Sequence, residues 1–200
     1  LGPLAAAGYE PYLRQDDAAA RLAAFGQFRI LCAHRRGPAG IESVNPLVEA
    51  ALAAERLLEP TDLWYPNRPL LVTRNDPAIR LFNGDVGLVV RDGEGRKALF
   101  PALEGDARRT RLLSLSRLPT HETAFALTVH KSQGSEFDDV VLCLPEKESP
   151  VLTRELLYTA VTRARRSVRI LGTPAIVEAA VGTPTRRSSG LAERLWGRRM

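Results

Sequence analysis

The chain has little cysteine and no long apolar run. Cys32 and Cys143 are the only cysteines in 200 residues, and each lies in a short apolar stretch. We therefore predict two buried free thiols in a reducing cytosol rather than a disulfide-stapled secreted fold. No stretch approaches the roughly 18 apolar residues that span a bilayer, and the start has no basic region typical of a signal peptide. We expect a cytoplasmic fragment of a longer chain, since no methionine precedes Leu1.

Two kinds of ligand site are also missing from the sequence. It contains no G-x-x-x-x-G-K-[ST] phosphate loop, and no Asp-Glu pair that ends an apolar strand. The chain by itself therefore cannot cradle a nucleoside triphosphate and its magnesium in the usual way. The histidines His34, His121 and His130 are separated from the cysteines and from one another, so no metal site is predicted. Any nucleotide chemistry must involve a partner domain.

Lysine is scarce, and arginine supplies most of the positive charge. The lysines are Lys97, Lys131 and Lys147, while the net charge is +5 and the pI is about 9.7. Arginine binds phosphate through a planar fork and stays protonated at working pH, which suits a polyanionic partner. A biased genome composition explains the same excess, so the bulk charge alone leaves both interpretations open.

The hydrophobic pattern predicts an α/β fold with an inserted β module. Residues 1–65 and 120–182 form the α/β body, residues 66–119 a small antiparallel module, and residues 183–200 a basic tail. The predicted helices are Leu13–Phe25, Ile41–Leu58, Thr153–Arg163 and Pro174–Val181. The predicted strands are Phe28–Ala33, Leu70–Thr73, Val86–Arg91, Lys97–Phe100, Arg111–Leu115, Thr123–Leu127, Asp139–Leu144 and Val168–Leu171.

The most informative segment lies between two apolar runs, Ala124–Leu127 and Val140–Leu144. Gly134 within it permits a sharp turn before Glu136, whose carboxylate can accept hydrogen bonds from a ribose. Thr128, His130 and the amides around Ser132 can donate to nucleic-acid phosphates. Surface or packing roles for these side chains are the alternatives.

Two arginines are placed where ligands bind in open α/β folds. Arg35 follows the predicted strand Phe28–Ala33, and Arg163 ends the predicted helix that begins at Thr153, which is the predicted N-cap. Arginines presented by a neighbouring domain stabilise the charge that develops on a γ-phosphate. The alternative for Arg163 is a solvated cation favoured by the helix C-terminal dipole.

Five separated segments resemble the RecD family of helicases, and the last two are similar to the final signature motifs of superfamily 1 DNA helicases. The resemblance extends roughly from Phe28 to Leu191, and the tail Arg186–Leu191 looks like the C-terminus of that family. The five segments are Cys32–Pro38, Arg68–Asp76, Leu81–Gly87, Thr128–Phe137 and Glu155–Arg165.

The resemblance implies the second RecA-like domain, a parallel sheet flanked by helices with an inserted small SH3-like β-barrel, of an ATP-driven motor. Such a motor moves 5′ to 3′ on single-stranded DNA in double-strand-break repair. Its partners are an N-terminal motor domain, which holds ATP and Mg²⁺, and RecB- and RecC-like subunits. Arg35 and Arg163 are expected to converge on the γ-phosphate, with Glu136 and Gly134 near the nucleotide. The expected DNA contacts are Thr128, His130, Lys131, Ser132 and Gln133.

Other origins stay open at this point. The parent protein can be a stand-alone helicase or a conjugative relaxase–helicase with a similar second domain. The domain can also be a non-catalytic module that binds DNA or a partner. In every case we expect the fragment alone to be inactive and to bind no cofactor tightly, because it lacks the phosphate loop.

Overall fold

The computed structural model describes residues 1–93, 95–102 and 109–185. The basic tail from Arg186 onward lies outside the described residues. The helices are α1 Gly2–Leu13, α2 Ala18–Phe25, α3 Ile41–Ala54, α4 Arg154–Val161 and α5 Pro174–Gly182. The strands are β1 Phe28–Cys32, β2 Pro69–Val72, β3 Val86–Asp92, β4 Gly95–Pro101, β5 Thr110–Ser114, β6 His121–Thr123, β7 Ala126–Thr128, β8 Phe137–Cys143 and β9 Ala164–Leu171.

The α/β body is built on a four-stranded parallel sheet with the order β7-β1-β8-β9. Cys32 at the end of β1 is in register with Thr128 on one side and with Cys143 on the other. All five residues of β1 are buried, as expected for a central strand covered on both faces. Both cysteines are buried free thiols, so that prediction is confirmed.

Helices cover both faces of this sheet, which confirms the predicted parallel sheet flanked by helices. On one face α1 supplies Tyr9, whose ring packs against Phe25, Phe28 and Phe125, and α3 joins the same hydrophobic cluster. On the other face α4 and α5 form a second cluster with β8, through residues such as Leu156. None of the helices in the described ranges is long and apolar enough to cross a bilayer.

The predicted antiparallel module is present, and it reaches further along the chain than expected. Its five strands have the order β5-β4-β3-β2-β6, with a separate core that includes Leu70, Val89 and Phe100. The strand β6 pairs with β2 and lies beyond residue 119, where we had placed the boundary. The described pairings leave β5 and β6 at the two ends of the sheet, so closure into a barrel stays a prediction.

The predicted strand Thr123–Leu127 is wrong, because two strands in different sheets share this run. The strand β6 ends at Thr123 and β7 begins at Ala126. Ala124 lies between them, and its carbonyl accepts a 2.6 Å hydrogen bond from the buried Arg29 guanidinium. Its amide donates to the carbonyl of Pro69. The run is continuously apolar because it passes through the packed junction of the two sheets.

Two predicted helices also have different limits in the structure. The helix predicted at Leu13–Phe25 is interrupted, because α1 ends at Leu13 and Asp17 caps the start of α2 by accepting from the Ala20 amide. Helix α1 was not predicted. Helix α3 ends at Ala54 rather than Leu58, since Arg56 adopts a left-handed φ of 56° that a continuing helix cannot contain.

Candidate functional site

The polar segment 128–136 is the connection from β7 to β8. Thr128 is the last residue of β7, Val129–Ser132 form a 3₁₀ turn, and Phe137 begins β8. The Thr128 hydroxyl caps the turn by accepting from the Lys131 amide. Because β7 and β8 lie in one parallel sheet, the segment leads from the carboxyl end of one strand to the amino end of the other.

The residues of this segment that were predicted to meet a ligand are exposed or half-buried, with one exception. His130 and Gln133 are exposed, and both line an open groove of about 360 Å³ beside the start of α4. Ser132 is the exception, because it is fully buried and its hydroxyl donates to the Val129 carbonyl at 2.8 Å. The turn itself therefore uses the Ser132 side chain, and DNA contact by the amides around Ser132 stays a prediction.

Gly134 makes the sharp turn that the sequence predicted. Its φ is +85°, in the left-handed region that glycine adopts without steric cost. The turn is closed by a 3.0 Å hydrogen bond from the Ser135 amide to the Ser132 carbonyl. This turn places Ser135 and Glu136 directly before the amino end of β8.

Arg163 meets the segment at that amino end. It lies in the connection between α4 and β9, not in the helix as predicted, because α4 ends at Val161. The predicted N-cap is confirmed, since the Thr153 hydroxyl accepts from the Leu156 amide. The Arg163 guanidinium donates to the carbonyls of Ser135 at 3.1 Å and Thr159 at 3.2 Å.

The partners of Arg163 leave its positive charge unbalanced. All are neutral oxygens, the third being the Thr162 hydroxyl at 3.4 Å, and no carboxylate within the described ranges forms a salt bridge with it. Glu136, the next residue after Ser135, instead pairs with Arg165 at 3.1 Å. Both side chains of that pair are more than half exposed, so the pair is easily broken by a competing ligand.

Arg35 has different surroundings. It donates to Glu122 at 2.7 Å and to Glu42 at 3.2 Å, and Glu122 also lies 3.5 Å from the Lys131 ammonium. The hydrogen bond and the charge of Glu122 raise the pKa of Arg35 above its ordinary value. Two carboxylates therefore balance the guanidinium that was expected to face a γ-phosphate.

The expected convergence of Arg35 and Arg163 on one phosphate stays a prediction, because the two residues lie at opposite ends of the parallel sheet. Arg35 follows the carboxyl end of β1, whereas Arg163 precedes the amino end of β9. The register pairs Phe137 with Ala164 at one end and Cys143 with Cys32 at the other. Those ends are six residues apart, or about 20 Å along the strands. The two guanidiniums share no partner among the described residues.

Glu122 is a site residue that sequence reasoning missed. It occupies the short strand β6 of the antiparallel sheet, where Leu71 is its register partner. Its role depends on how the two sheets pack, and neighbouring residues in the sequence give no sign of it. The described residues contain no cluster of three or more His, Cys, Asp or Glu side chains suited to a metal ion.

Comparisons with known proteins match this arrangement. The model for the UvrD-like helicase C-terminal domain matches residues 123–171, which include the polar segment and Arg163. The RecBCD enzyme subunit RecD of Mycobacterium tuberculosis (strain ATCC 25618 / H37Rv) is 46% identical over 174 residues, which cover 87% of this chain and 30% of that subunit. The chain belongs to the RecD family.

Other RecD relatives agree, and the match covers a limited part of each. The Haemophilus influenzae RecBCD enzyme subunit RecD is 38% identical over 86% of this chain and 25% of that subunit. The ATP-dependent RecD2 DNA helicase of Deinococcus radiodurans is 31% identical over 85% of this chain and 24% of that protein. A solved structure of Pif1 helicase from Bacteroides, in complex with ADP-AlF3 and ssDNA, matches with a TM-score of 0.47 and 17% identity over 84% of this chain and 48% of that chain. The chain thus spans about a quarter to a third of the length of its RecD relatives and corresponds to a C-terminal portion of RecD.

Proposed function

We propose that this chain is the C-terminal motor domain of an ATP-dependent 5′–3′ DNA helicase of the RecD type, which acts in double-strand-break repair. The names of its relatives, a RecBCD subunit and a RecD2 DNA helicase, support this function. ATP and Mg²⁺ would be held by an N-terminal motor domain, because this sequence lacks the phosphate loop. The fragment alone would then be inactive.

The nucleotide would approach the amino end of β8, where Arg163 lies. The observation that carries this assignment is the uncompensated charge of the Arg163 guanidinium, which backbone carbonyls hold in place. A fixed cation without a competing carboxylate is suited to stabilise negative charge on a transferring phosphoryl group. Glu136 is two residues beyond the Gly134 turn and is exposed, so its carboxylate is available to a ribose.

Single-stranded DNA would follow the first part of the segment, from Thr128 to Gln133. Thr128 ends β7, and the exposed His130 and Gln133 line the groove beside α4. Lys131 supplies a cation for a backbone phosphate. We assign Arg35 to this side as well, since it shares Glu122 with Lys131. We also propose that the antiparallel sheet is the SH3-like module expected of the family.

The partners of the parent protein follow from the same reasoning. RecB- and RecC-like subunits are proposed because two of the relatives are named RecBCD subunits at 46% and 38% identity. A stand-alone helicase is the second candidate, favoured by the 31% identity to the RecD2 protein. Co-purification of the full-length protein with two further subunits would separate these candidates.

The role of Arg163 can be tested in the full-length protein by Arg163→Ala. We expect the rate of DNA-stimulated ATP hydrolysis to fall by on the order of a thousandfold, because an arginine that faces the γ-phosphate contributes that much. Affinity for a single-stranded oligonucleotide should change little, since Arg163 is not among the residues that line the groove. Steady-state ATPase and fluorescence anisotropy measure the two quantities.

Arg166→Ala is the matched control for this test. Arg166 is an exposed arginine of β9 that pairs with Asp139, so its loss should leave ATP hydrolysis within about twofold of wild type, as is usual for an exposed ion pair. Wild-type turnover in Arg163→Ala would refute the assigned role. Equal losses in both variants would point to a general effect of charge.

A further inference from the structure

Among the residues that the structure describes, Glu122 is the one carboxylate that both Arg35 and Lys131 contact. Its Oε2 atom accepts from Arg35 at 2.7 Å, and its Oε1 atom lies 3.5 Å from the Lys131 ammonium. The two cations come from different connections of the parallel sheet, one after β1 and one after β7. Glu122 itself comes from β6 of the antiparallel sheet. Three separate elements of the fold therefore meet at one carboxylate.

Burial decides how this group can behave. The Glu122 side chain is 18% exposed, against 53% for Arg35 and 27% for Lys131. Its Oε1 atom is inaccessible to solvent and has no partner closer than the Lys131 ammonium. Withdrawing the cations would leave a largely buried carboxylate unpaired, which is strongly unfavourable. A ligand that binds the cations therefore has to do so while they remain on Glu122.

Both cations keep donors that can serve such a ligand. Arg35 uses Nη2 on Glu122 and Nε on Glu42, which leaves the hydrogens of Nη1. Lys131 has three hydrogens on its ammonium and directs only part of them at Glu122. Because both cations contact the same carboxylate, it keeps them near each other.

We propose that Glu122 is a positioning residue that holds Arg35 and Lys131 together as one site for a backbone phosphate of single-stranded DNA. This inference rests on the proposed function of the segment as the path of the strand. It gives the antiparallel sheet a role in the motor domain, because its last strand supplies the carboxylate. Glu122 acts through the two cations and does not itself touch the ligand.

A double-mutant cycle in the full-length protein tests the proposal, with a single-stranded oligo-dT as the probe. If the two cations act as one unit, Arg35→Ala and Lys131→Ala should each weaken binding about tenfold, and the double variant should lose about tenfold rather than a hundredfold. In the Glu122→Gln background the two cations should no longer be coupled. The same two substitutions should then have smaller effects, about threefold each, that multiply.

Glu122→Asp separates position from charge. The shorter side chain keeps the negative charge but cannot reach both cations, so it should behave as Glu122→Gln does if position matters. Asp92→Asn is the matched control, because Asp92 is a carboxylate of the same antiparallel sheet that pairs with Lys97 and, within the described ranges, with neither Arg35 nor Lys131. It should leave the cycle unchanged. Thermal unfolding of each variant identifies any general loss of fold.

The outcomes distinguish this proposal from the proposed function. Multiplying effects of Arg35→Ala and Lys131→Ala in the presence of Glu122 would overturn the positioning role and leave the DNA path intact. Wild-type behaviour of Glu122→Asp would also overturn it, since charge alone would then suffice. No effect of either cation substitution on oligo-dT binding would overturn both the shared site and this path for the strand, while the ATPase test of Arg163 would stand separately.

Discussion

At the scale of single residues, the acceptors around an arginine decide what it can do. Arg35 and Arg163 are the same residue type. Both lie in segments, Cys32–Pro38 and Glu155–Arg165, whose resemblance to the RecD family implies contact with a nucleotide. Arg35 is neutralised by Glu42 and Glu122, whereas Arg163 is held by carbonyl oxygens that leave its charge in place. The structure thus separates two residues that the sequence treats alike.

A third arginine, Arg29, is buried without a carboxylate partner among the described residues. Its guanidinium lies 4.0 Å from the centroid of the Phe25 ring and 5.0 Å from that of Phe137. It donates to the carbonyls of Ala124 and Phe25. Burial lowers the pKa of Arg29 below its ordinary value. The residue joins the parallel sheet to the junction with β6.

Arg29→Ala should lower the free energy of unfolding by about 3–5 kcal/mol, since it opens a cavity and strands two buried carbonyls. Arg29→Met fills most of the volume and removes the buried charge, so it should cost less than the alanine variant. Urea denaturation measures both values. A cost for Arg29→Ala below about 1 kcal/mol would contradict this account of the junction.

At the scale of elements, the segment from β7 to β8 joins the two groups of site residues. The first group is Glu122 with Arg35 and Lys131, and Lys131 comes from this segment. The second group is Arg163 with its acceptors, and the carbonyl of Ser135 in the same segment is one of them. The hydrogen-bonded turn at Gly134 lies between Lys131 and Ser135, so the conformation of this turn sets the distance between those two residues. A substitution at Gly134 should affect both groups at once.

Gly134→Ala tests this link. A Cβ at this position meets no atom within 4 Å, so the cost is conformational and amounts to about 1–2 kcal/mol for a left-handed residue. We expect the full-length variant to lose DNA-stimulated ATPase activity several-fold. Gly134→Asn should lose less, because asparagine tolerates this conformation better. Equal activity of the alanine variant and wild type would show that the turn can relax freely.

Local patterns predicted most strands of both sheets and the helices α3 to α5, whereas helix α1 and the element limits at the sheet junction were missed. The strands β1 and β8 and the Thr153 cap were readable because burial on two faces and N-capping leave clear local signals. The split between β6 and β7 was not readable, since Ala124 and Phe125 are buried at the sheet junction and continue the apolar run. Glu122 was missed because its contacts with Arg35 and Lys131 depend on how the two sheets pack.

At the scale of the whole molecule, the two sheets share a hydrophobic core. The cluster under α1 and α3 contains Leu88, Val90 and Leu99 of the antiparallel sheet together with Ile30 and Val141 of the parallel sheet. Because neither sheet can expose this surface without cost to the other, they should not unfold separately.

The 200-residue chain should therefore unfold in one cooperative transition. Trp64 packs against the core of the antiparallel sheet, and its fluorescence, measured in a Trp196→Phe variant, reports on that part. Far-UV circular dichroism reports mainly on the helices around the parallel sheet. The two urea midpoints should coincide. Separate midpoints would contradict the shared core.

The junction at Ala124 and Phe125 has a mechanical consequence. Ala124 is tied to the antiparallel sheet through Pro69 and to the parallel sheet through Arg29, and the hydroxyl of Tyr9 donates to the carbonyl of Phe125. A connection that is hydrogen-bonded to both sheets cannot serve as a hinge between them. In the proposed motor, both sheets should therefore move as one rigid body when the neighbouring domain opens and closes, and the bending must occur outside this pair of residues.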